Sequence, residues 1–250
     1  MPSWPLATIV AMTSPFPFDA VLFDCDGVLV DSEPITARVL SQMMRELGWD
    51  ITPEESLRVF LGKAVKDEAA TILAKTGFAI TTEWLHGFWQ RRNEALDREL
   101  VEIPGAPSAV RALHARLDGR IACASGADRR KIELQLDKIG IRDAFEGRIF
   151  SGHETPRSKP FPDVYLAAAA ALGVDAARCA VIEDTVTGAT AGVAAGATVF
   201  GYCPGGLGHS SAQALRDVGV AHLFTDMGAL PEVLAAWDAA AGASARAAAT

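Results

Sequence analysis

Short apolar runs recur along the chain around Val21, Ile121, Ile149, Val181, Val199 and Leu223, and stretches with helical apolar spacing follow most of them. Short continuous runs of this kind predict strands buried on both faces, and their alternation with helices predicts a parallel sheet. The expected fold class is α/β, a doubly wound parallel sheet with a Rossmann-like core. The interval 36–102 breaks the rhythm. It has no comparable strand, and its pattern predicts helices over 34–47, 53–60, 64–75 and 81–100, punctuated by Gly48, Gly62 and Gly77. We read it as an inserted all-helical cap, with Ile103-Pro104-Gly105 marking the return to the core. The expected division is an N-terminal extension over 1–17, a core over 18–35 and 103–238, the cap over 36–102, and an Ala-rich tail over 239–250. Met12 offers a second possible start.

Candidate chemistry sits where the apolar runs end. After Ala20-Val21-Leu22-Phe23 come Asp24-Cys25-Asp26-Gly27. In an open α/β sheet, ligands bind beyond the carboxyl ends of the strands. Extended chain turns residues two apart the same way, so Asp24 and Asp26 share a side and Cys25 points away. Two such carboxylates repel, and a hard divalent cation such as Mg²⁺ relieves them while still accepting phosphate oxygens. Asp-x-Asp-Gly is also ordinary turn chemistry, and by itself the segment supports either reading.

Three later segments bear on the choice. Ile121-Ala122-Cys123-Ala124 ends in Ser125-Gly126, ahead of a helix predicted over 127–139. A hydroxyl with backbone N–H groups at a helix start makes an anion site, although Ser125 or Asp128 serves equally as a plain helix cap. Lys159 lies in the loop Ser158-Lys159-Pro160, before a helix predicted over 163–172. It suits phosphate as a compact point charge, or is simply solvated. Cys179-Ala180-Val181-Ile182 ends in Glu183-Asp184, acids that fit either a helix start or a metal site.

In that order and setting, the four segments resemble the motifs of the haloacid dehalogenase superfamily of phosphohydrolases. The resemblance runs from about residue 18 to 234 and is strongest to the branch of β-phosphoglucomutases and sugar-phosphate phosphatases with helical caps. It implies Asp24 as nucleophile, forming an aspartyl-phosphate, and Asp26 as general acid and then base. It implies Mg²⁺ held by Asp24, the backbone carbonyl of Asp26 and Asp184, with Glu183 acting through water. Ser125, Gly126 and Lys159 would bind the phosphoryl group. Asp26 argues against dehalogenase and phosphonatase chemistry, whose members usually lack that second aspartate. Thr36 stands where β-phosphoglucomutases usually carry histidine, which favours a phosphatase over a mutase. The expected activity is a Mg²⁺-dependent phosphatase of a small phosphorylated sugar, sugar acid or polyol. The alternatives are a phosphohexomutase and a non-catalytic phosphate- or partner-binding protein. An acid that later serves as a base needs a pKa near working pH, which a neighbouring carboxylate helps to supply.

In the cap, Leu61-Gly62-Lys63-Ala64-Val65-Lys66 is the candidate contact loop, since glycine lets backbone approach a ligand and Lys63 and Lys66 suit an anionic or hydroxyl-rich group. A helix–helix turn with solvated lysines explains it as well, and Arg91 and Arg92 pose the same question. Trp84, Phe88 and Trp89 fit cap core better than a sugar-stacking platform. His153 is a candidate for the pocket rim. His86, His114, His209 and His222 lack metal-ligand spacing and read as structural or surface residues.

Composition narrows the partners. The 250 residues carry a net charge of −8, which excludes the basic footprint of a nucleic-acid binder. No uncharged run is hydrophobic enough to span a bilayer, and the N-terminal stretch has no Lys or Arg. The four cysteines form no CxxC pair and read as reduced thiols of a cytoplasmic protein. The expected partner is a small phosphorylated metabolite, with the chain a monomer or weak homodimer.

Overall fold

The computed structural model describes residues 16–206 and 208–237. The expected start at Met12, most of the N-terminal extension and the tail over 239–250 lie outside the described residues. Six parallel strands form one sheet: β1 (Ala20–Phe23), β2 (Ile121–Ser125), β3 (Ile149–Ser151), β4 (Cys179–Glu183), β5 (Thr198–Tyr202) and β6 (His222–Phe224). The helices are α1 (Glu33–Glu46), α2 (Pro53–Phe60), α3 (Ala69–Thr76), α4 (Thr82–Glu99), α5 (Ala106–Arg116), α6 (Arg129–Lys138), α7 (Asp163–Ala171), α8 (Val186–Ala194), α9 (Ala212–Asp217) and α10 (Leu230–Ala235).

The spatial order β3-β2-β1-β4-β5-β6 makes the sheet doubly wound. The chain runs outward from β1 through β2 to β3, then returns to place β4 on the other side of β1. That reversal opens a crevice at the carboxyl ends of β1 and β4. The strands read as unbroken apolar runs because both faces are covered. Val21 and Phe23 of β1 join one apolar cluster with α5, α6 and α10, whereas Ala20 and Leu22 join a second with α7, α8 and α9. The period of two thus sends alternate residues to opposite layers.

Helices α1 to α4 lie between β1 and α5 in the chain, and their apolar faces extend the first cluster through Leu40, Met44, Phe60, Ile72, Phe88 and Leu96. The segments leading to and from them run side by side: Asp31 N–H donates to Val101 O at 3.1 Å and Ile103 N–H to Leu29 O at 3.0 Å. Among the described residues no helix is long and apolar enough to cross a membrane.

Two helix limits differ from the sequence expectation. The helix expected over 64–75 is a 3₁₀ turn, Val65–Glu68, followed by α3. Glu68 draws Lys63 into an ion pair at 2.8 Å and accepts the Thr71 hydroxyl at 2.9 Å, which holds the chain in a tighter turn before α3 begins. The helix expected over 127–139 starts at Arg129 because Asp128 caps it, accepting from Lys131 N–H at 3.0 Å.

Candidate active site

A cavity of about 310 Å³ opens at the carboxyl ends of β1, β2 and β4 and is roofed by α1, α2 and α4. Asp24, Asp26, Ser125, Gly126, Lys159, Lys63 and Lys66 all line it. Glu183 and Asp184 lie fully buried beneath it. Residues up to 160 positions apart in sequence therefore meet in one place because parallel strands end on the same side of the sheet.

Lys159 is the charge at the centre. Its Nζ donates to Asp24 Oδ1 at 2.8 Å and to Glu183 Oε1 at 2.6 Å, and it lies 4.7 Å from the centre of the Tyr165 ring. Burial alone would lower the ammonium's pKa, but the Asp24 and Glu183 carboxylates override it and hold the charged form. Burial likewise pushes the Asp24 carboxyl up to about 7, reinforced by Glu183 and Asp26 and opposed by Lys159.

The two adjacent acids after β4 have different surroundings. Glu183 is saturated: Lys159 and the Tyr165 hydroxyl donate to Oε1, and Asp184 N–H, Thr185 N–H and the Thr185 hydroxyl donate to Oε2. Asp184 has no hydrogen-bond partner at either carboxylate oxygen among the described residues, although both are buried. Burial, then the nearby Glu183 and Asp24 charges, drive its pKa well above the ordinary carboxylate range. Oxygens of Asp24, Glu183 and Asp184 come within 4.8 Å of one another. An uncompensated buried carboxylate beside two others fits a hard cation with oxygen ligands. Neither acid caps the following helix. That cap is Thr185, whose hydroxyl accepts from Gly188 N–H at 3.1 Å.

Glycine makes room on both sides of this pair. A Cβ on Gly27, whose φ is +74°, would lie 2.2 Å from Asp184 Oδ2. A Cβ on Gly188 would lie 1.7 Å from Glu183 Oε1. Alanine is the better helix former by about 1 kcal/mol, but Glu183 is pinned by its five donors and has nowhere to retreat. Gly188→Ala is therefore expected to destabilise the protein by about 2 kcal/mol, as overpacking does. It should also lower kcat/KM roughly 10²-fold by displacing Lys159. A melting curve together with a turnover assay checks both, and a rise in melting temperature would contradict the packing argument.

Asp26 requires a correction. The sequence reading has its neighbour carboxylate lift its pKa toward working pH. In the structure burial does act upward, but Lys131, Ser32 and Gln135 outweigh it and bring Asp26 down to about 2. Lys131 Nζ lies 2.7 Å from Asp26 Oδ1, Gln135 Nε2 donates to the same oxygen at 2.7 Å, and the Ser32 hydroxyl donates to it as well. Lys131 and Gln135 are four residues apart on one face of α6, a spacing that carries no sign of where that face points. Cys25 lies apart from the cavity, donating its thiol to Gln135 Oε1 at 3.2 Å.

Ser125 is buried, and its Oγ accepts from Ala127 N–H at 3.1 Å. Lys63 spends its charge on Glu68, while Lys66 is exposed on the cavity wall and forms no ion pair among the described residues. Arg91 pairs with Glu46 at the surface. Arg92 is 5% exposed, lines the cavity and reaches Asp128, the cap of α6, at 2.7 Å. Phe88 packs in the core with Trp84 stacked on it, and Trp89 lines the cavity beside His153. His209, read as structural or surface from sequence, sits against the acidic cluster instead. Its Nε2 is 3.1 Å from Gly27 O and 3.9 Å from Asp184 Oδ2.

Comparison with known proteins agrees with this arrangement. The family described as haloacid dehalogenase-like hydrolase matches residues 18–196. The chain is 32% identical to 6-phosphogluconate phosphatase of Escherichia coli (strain K12) over 74% of its length and 82% of the relative's. It is also 32% identical to hexitol phosphatase B of the same organism, over 74% and 83% of the two chains. A HAD family hydrolase from Deinococcus radiodurans R1, crystallised with phosphate and sodium, is 37% identical and superposes with a TM-score of 0.71, covering 88% of this chain and 96% of that one. With the family matched across the strands that carry the acidic cluster, this chain belongs to the haloacid dehalogenase-like hydrolases.

Proposed function

We propose that the chain is a Mg²⁺-dependent phosphatase of small phosphorylated sugars, sugar acids or polyols, working through an aspartyl-phosphate on Asp24. The observation that carries this reading is Asp184, a fully buried carboxylate with both oxygens unpartnered among the described residues, beside Asp24 at the end of the neighbouring strand. Asp24, Asp184 and the backbone carbonyl of Asp26 would hold the metal. Bound there, Mg²⁺ would neutralise carboxylate and phosphoryl charge. Glu183, with every oxygen engaged by protein donors, serves to anchor Lys159.

Phosphoryl transfer is chiefly positioning and charge neutralisation. Lys159 and Ser125, with the N–H groups after β2, orient the phosphoryl oxygens. Asp24 Oδ attacks phosphorus as the ester P–O bond breaks, and Asp26 gives its proton to the leaving alkoxide. Asp26 then takes a proton from the water that cleaves the aspartyl-phosphate. Held at about 2 by Lys131, Asp26 is ionised in the free protein, so it must first leave that contact and take up a proton from solvent, the proton it then gives to the leaving alkoxide. Residues 36–102 act as the cap that selects the substrate, a small metabolite met in the cytoplasm.

The test is phosphate release from a panel of phosphorylated sugars, aldonates and hexitols, with and without a chelator. Release that a chelator abolishes and excess Mg²⁺ restores is the expected result. Isomerisation of a hexose phosphate without release would mean a mutase, and no turnover of any ester would leave a binding protein. The relatives' names point to aldonate and hexitol phosphates. Lys66, an ammonium on the wall with no ion pair among the described residues, suits the carboxylate of an aldonate. Lys66→Ala is expected to lower the ratio of kcat/KM for 6-phosphogluconate over an aryl phosphate roughly tenfold, since remote binding energy serves the reacting centre. An unchanged ratio returns the loop to a solvated turn.

A further inference from the structure

Only two buried hydroxyl oxygens among the described residues lack a hydrogen-bond partner, Thr36 Oγ1 on α1 and Ser56 Oγ on α2. Both residues line the cavity that contains Asp24. The usual outlet for a helical hydroxyl is the carbonyl one turn earlier, and other hydroxyls of this chain use it. Thr76 donates to Ile72 O at 2.7 Å, Thr190 to Val186 O at 2.7 Å, and Ser41 to Arg38 O at 2.9 Å. The carbonyls one turn before Thr36 and Ser56, those of Ser32 and Thr52, accept a backbone N–H, and neither hydroxyl takes them.

A buried hydroxyl without a partner is a cost that alanine or valine at the same place would avoid. Two of them lining the one cavity that contains Asp24 mark a surface shaped for something absent from the fold itself. Their surroundings define the chemistry. Leu40 and Phe60, one helical turn on from Thr36 and Ser56, line the same cavity with Leu57 and Phe88. That mixture of apolar wall and neutral hydroxyls suits the C–H and O–H groups of a polyhydroxylated carbon chain rather than a second phosphate.

We infer that Thr36 and Ser56 form a hydroxyl-reading subsite for the non-reacting end of the substrate, binding the carbinol groups of a sugar or polyol phosphate whose phosphoryl group lies at Asp24. The inference rests on the phosphatase reading for the position of the phosphoryl group. A site built to hydrogen-bond a substrate hydroxyl rejects an analogue that lacks it, because its own polar groups then stay unpaired.

The experiment compares glucitol 6-phosphate with hexyl phosphate, a chain of equal length without hydroxyls. Wild type is expected to prefer glucitol 6-phosphate by about 10²-fold or more in kcat/KM. Ser56→Ala and Thr36→Val should each lower that preference about tenfold, mainly through KM, because the lost bond forms on binding. Thr36→Ser, which keeps the hydroxyl, should retain it. The free Ser56→Ala protein should melt no lower than wild type, since the hydroxyl it loses has no partner. A lower melting temperature, an equal loss on both esters, or no loss on either would overturn the subsite. Should wild type release phosphate from neither these two esters nor any of the wider panel, the phosphatase reading falls. Calorimetric titration with the same two compounds then decides the subsite separately: a preference for glucitol 6-phosphate that Ser56→Ala removes upholds it, and equal or absent binding of the two rejects it.

Discussion

Asp24→Asn is expected to release no measurable phosphate from any ester while remaining folded. Loss of an attacking nucleophile costs roughly 10⁴–10⁶-fold, and here the same side chain is also a proposed metal ligand. The fold should survive because Asp24 is buried and its pKa is already lifted to about 7, chiefly by burial. An amide of the same shape can still accept from Lys159 at that oxygen, and Lys159 keeps Glu183 as a partner. Phosphate release and a melting curve check the two halves. Turnover within tenfold of wild type would remove Asp24 from the mechanism, whereas a collapsed melting transition would make it a structural residue instead.

Lys159→Met is expected to cost both activity and stability. Removing the ammonium leaves Glu183, with no side-chain exposure, and Asp24, with 9%, as like charges that have lost their shared cation. Breaking a buried pair from one side typically costs about 3–5 kcal/mol. For a chain of this size that is a fall in melting temperature of roughly 6–20 °C. Turnover should fall about 10²–10³-fold from loss of the phosphoryl contact alone. The double variant Lys159→Met, Glu183→Gln separates the effects. Taking away the stranded charge should restore much of the melting temperature and none of the turnover. Recovery of turnover in the double variant would show that Lys159 acts only on folding.

The sheet is legible in the sequence because its physics is local. A strand covered on both faces must be apolar at every position, so the runs near Val21, Ile121, Ile149, Val181, Val199 and Leu223 announce themselves, and all six are strands. The helix expected over 64–75 fails at its start because Glu68 reaches back to Lys63 and forward to Thr71, a competition between side-chain pairs that apolar spacing does not record. Asp24, Ser125 and Glu183-Asp184 stand out as polar residues closing apolar runs, and Lys159 stands out only through the order of the four motifs.

Much of the cavity wall has no such signature. Lys131 and Gln135 look like ordinary polar residues of an amphipathic helix, yet they grip Asp26 across more than a hundred residues of chain. His209 has no metal-ligand spacing, yet the loop that carries it ends beside Asp184. Glu183 and Asp184 are neighbours in sequence with one shared chemistry. Only the packing of Lys159, Tyr165 and Thr185 around one, and of Gly27 beside the other, makes the first a saturated anchor and the second a carboxylate without a hydrogen-bond partner among the described residues. The sequence by itself determined the layered α/β fold and the acids at its strand ends, because burial and strand period act over a few residues. The tertiary structure decided which charges are compensated and which hydroxyls are left waiting, because those depend on donors brought together from distant parts of the chain.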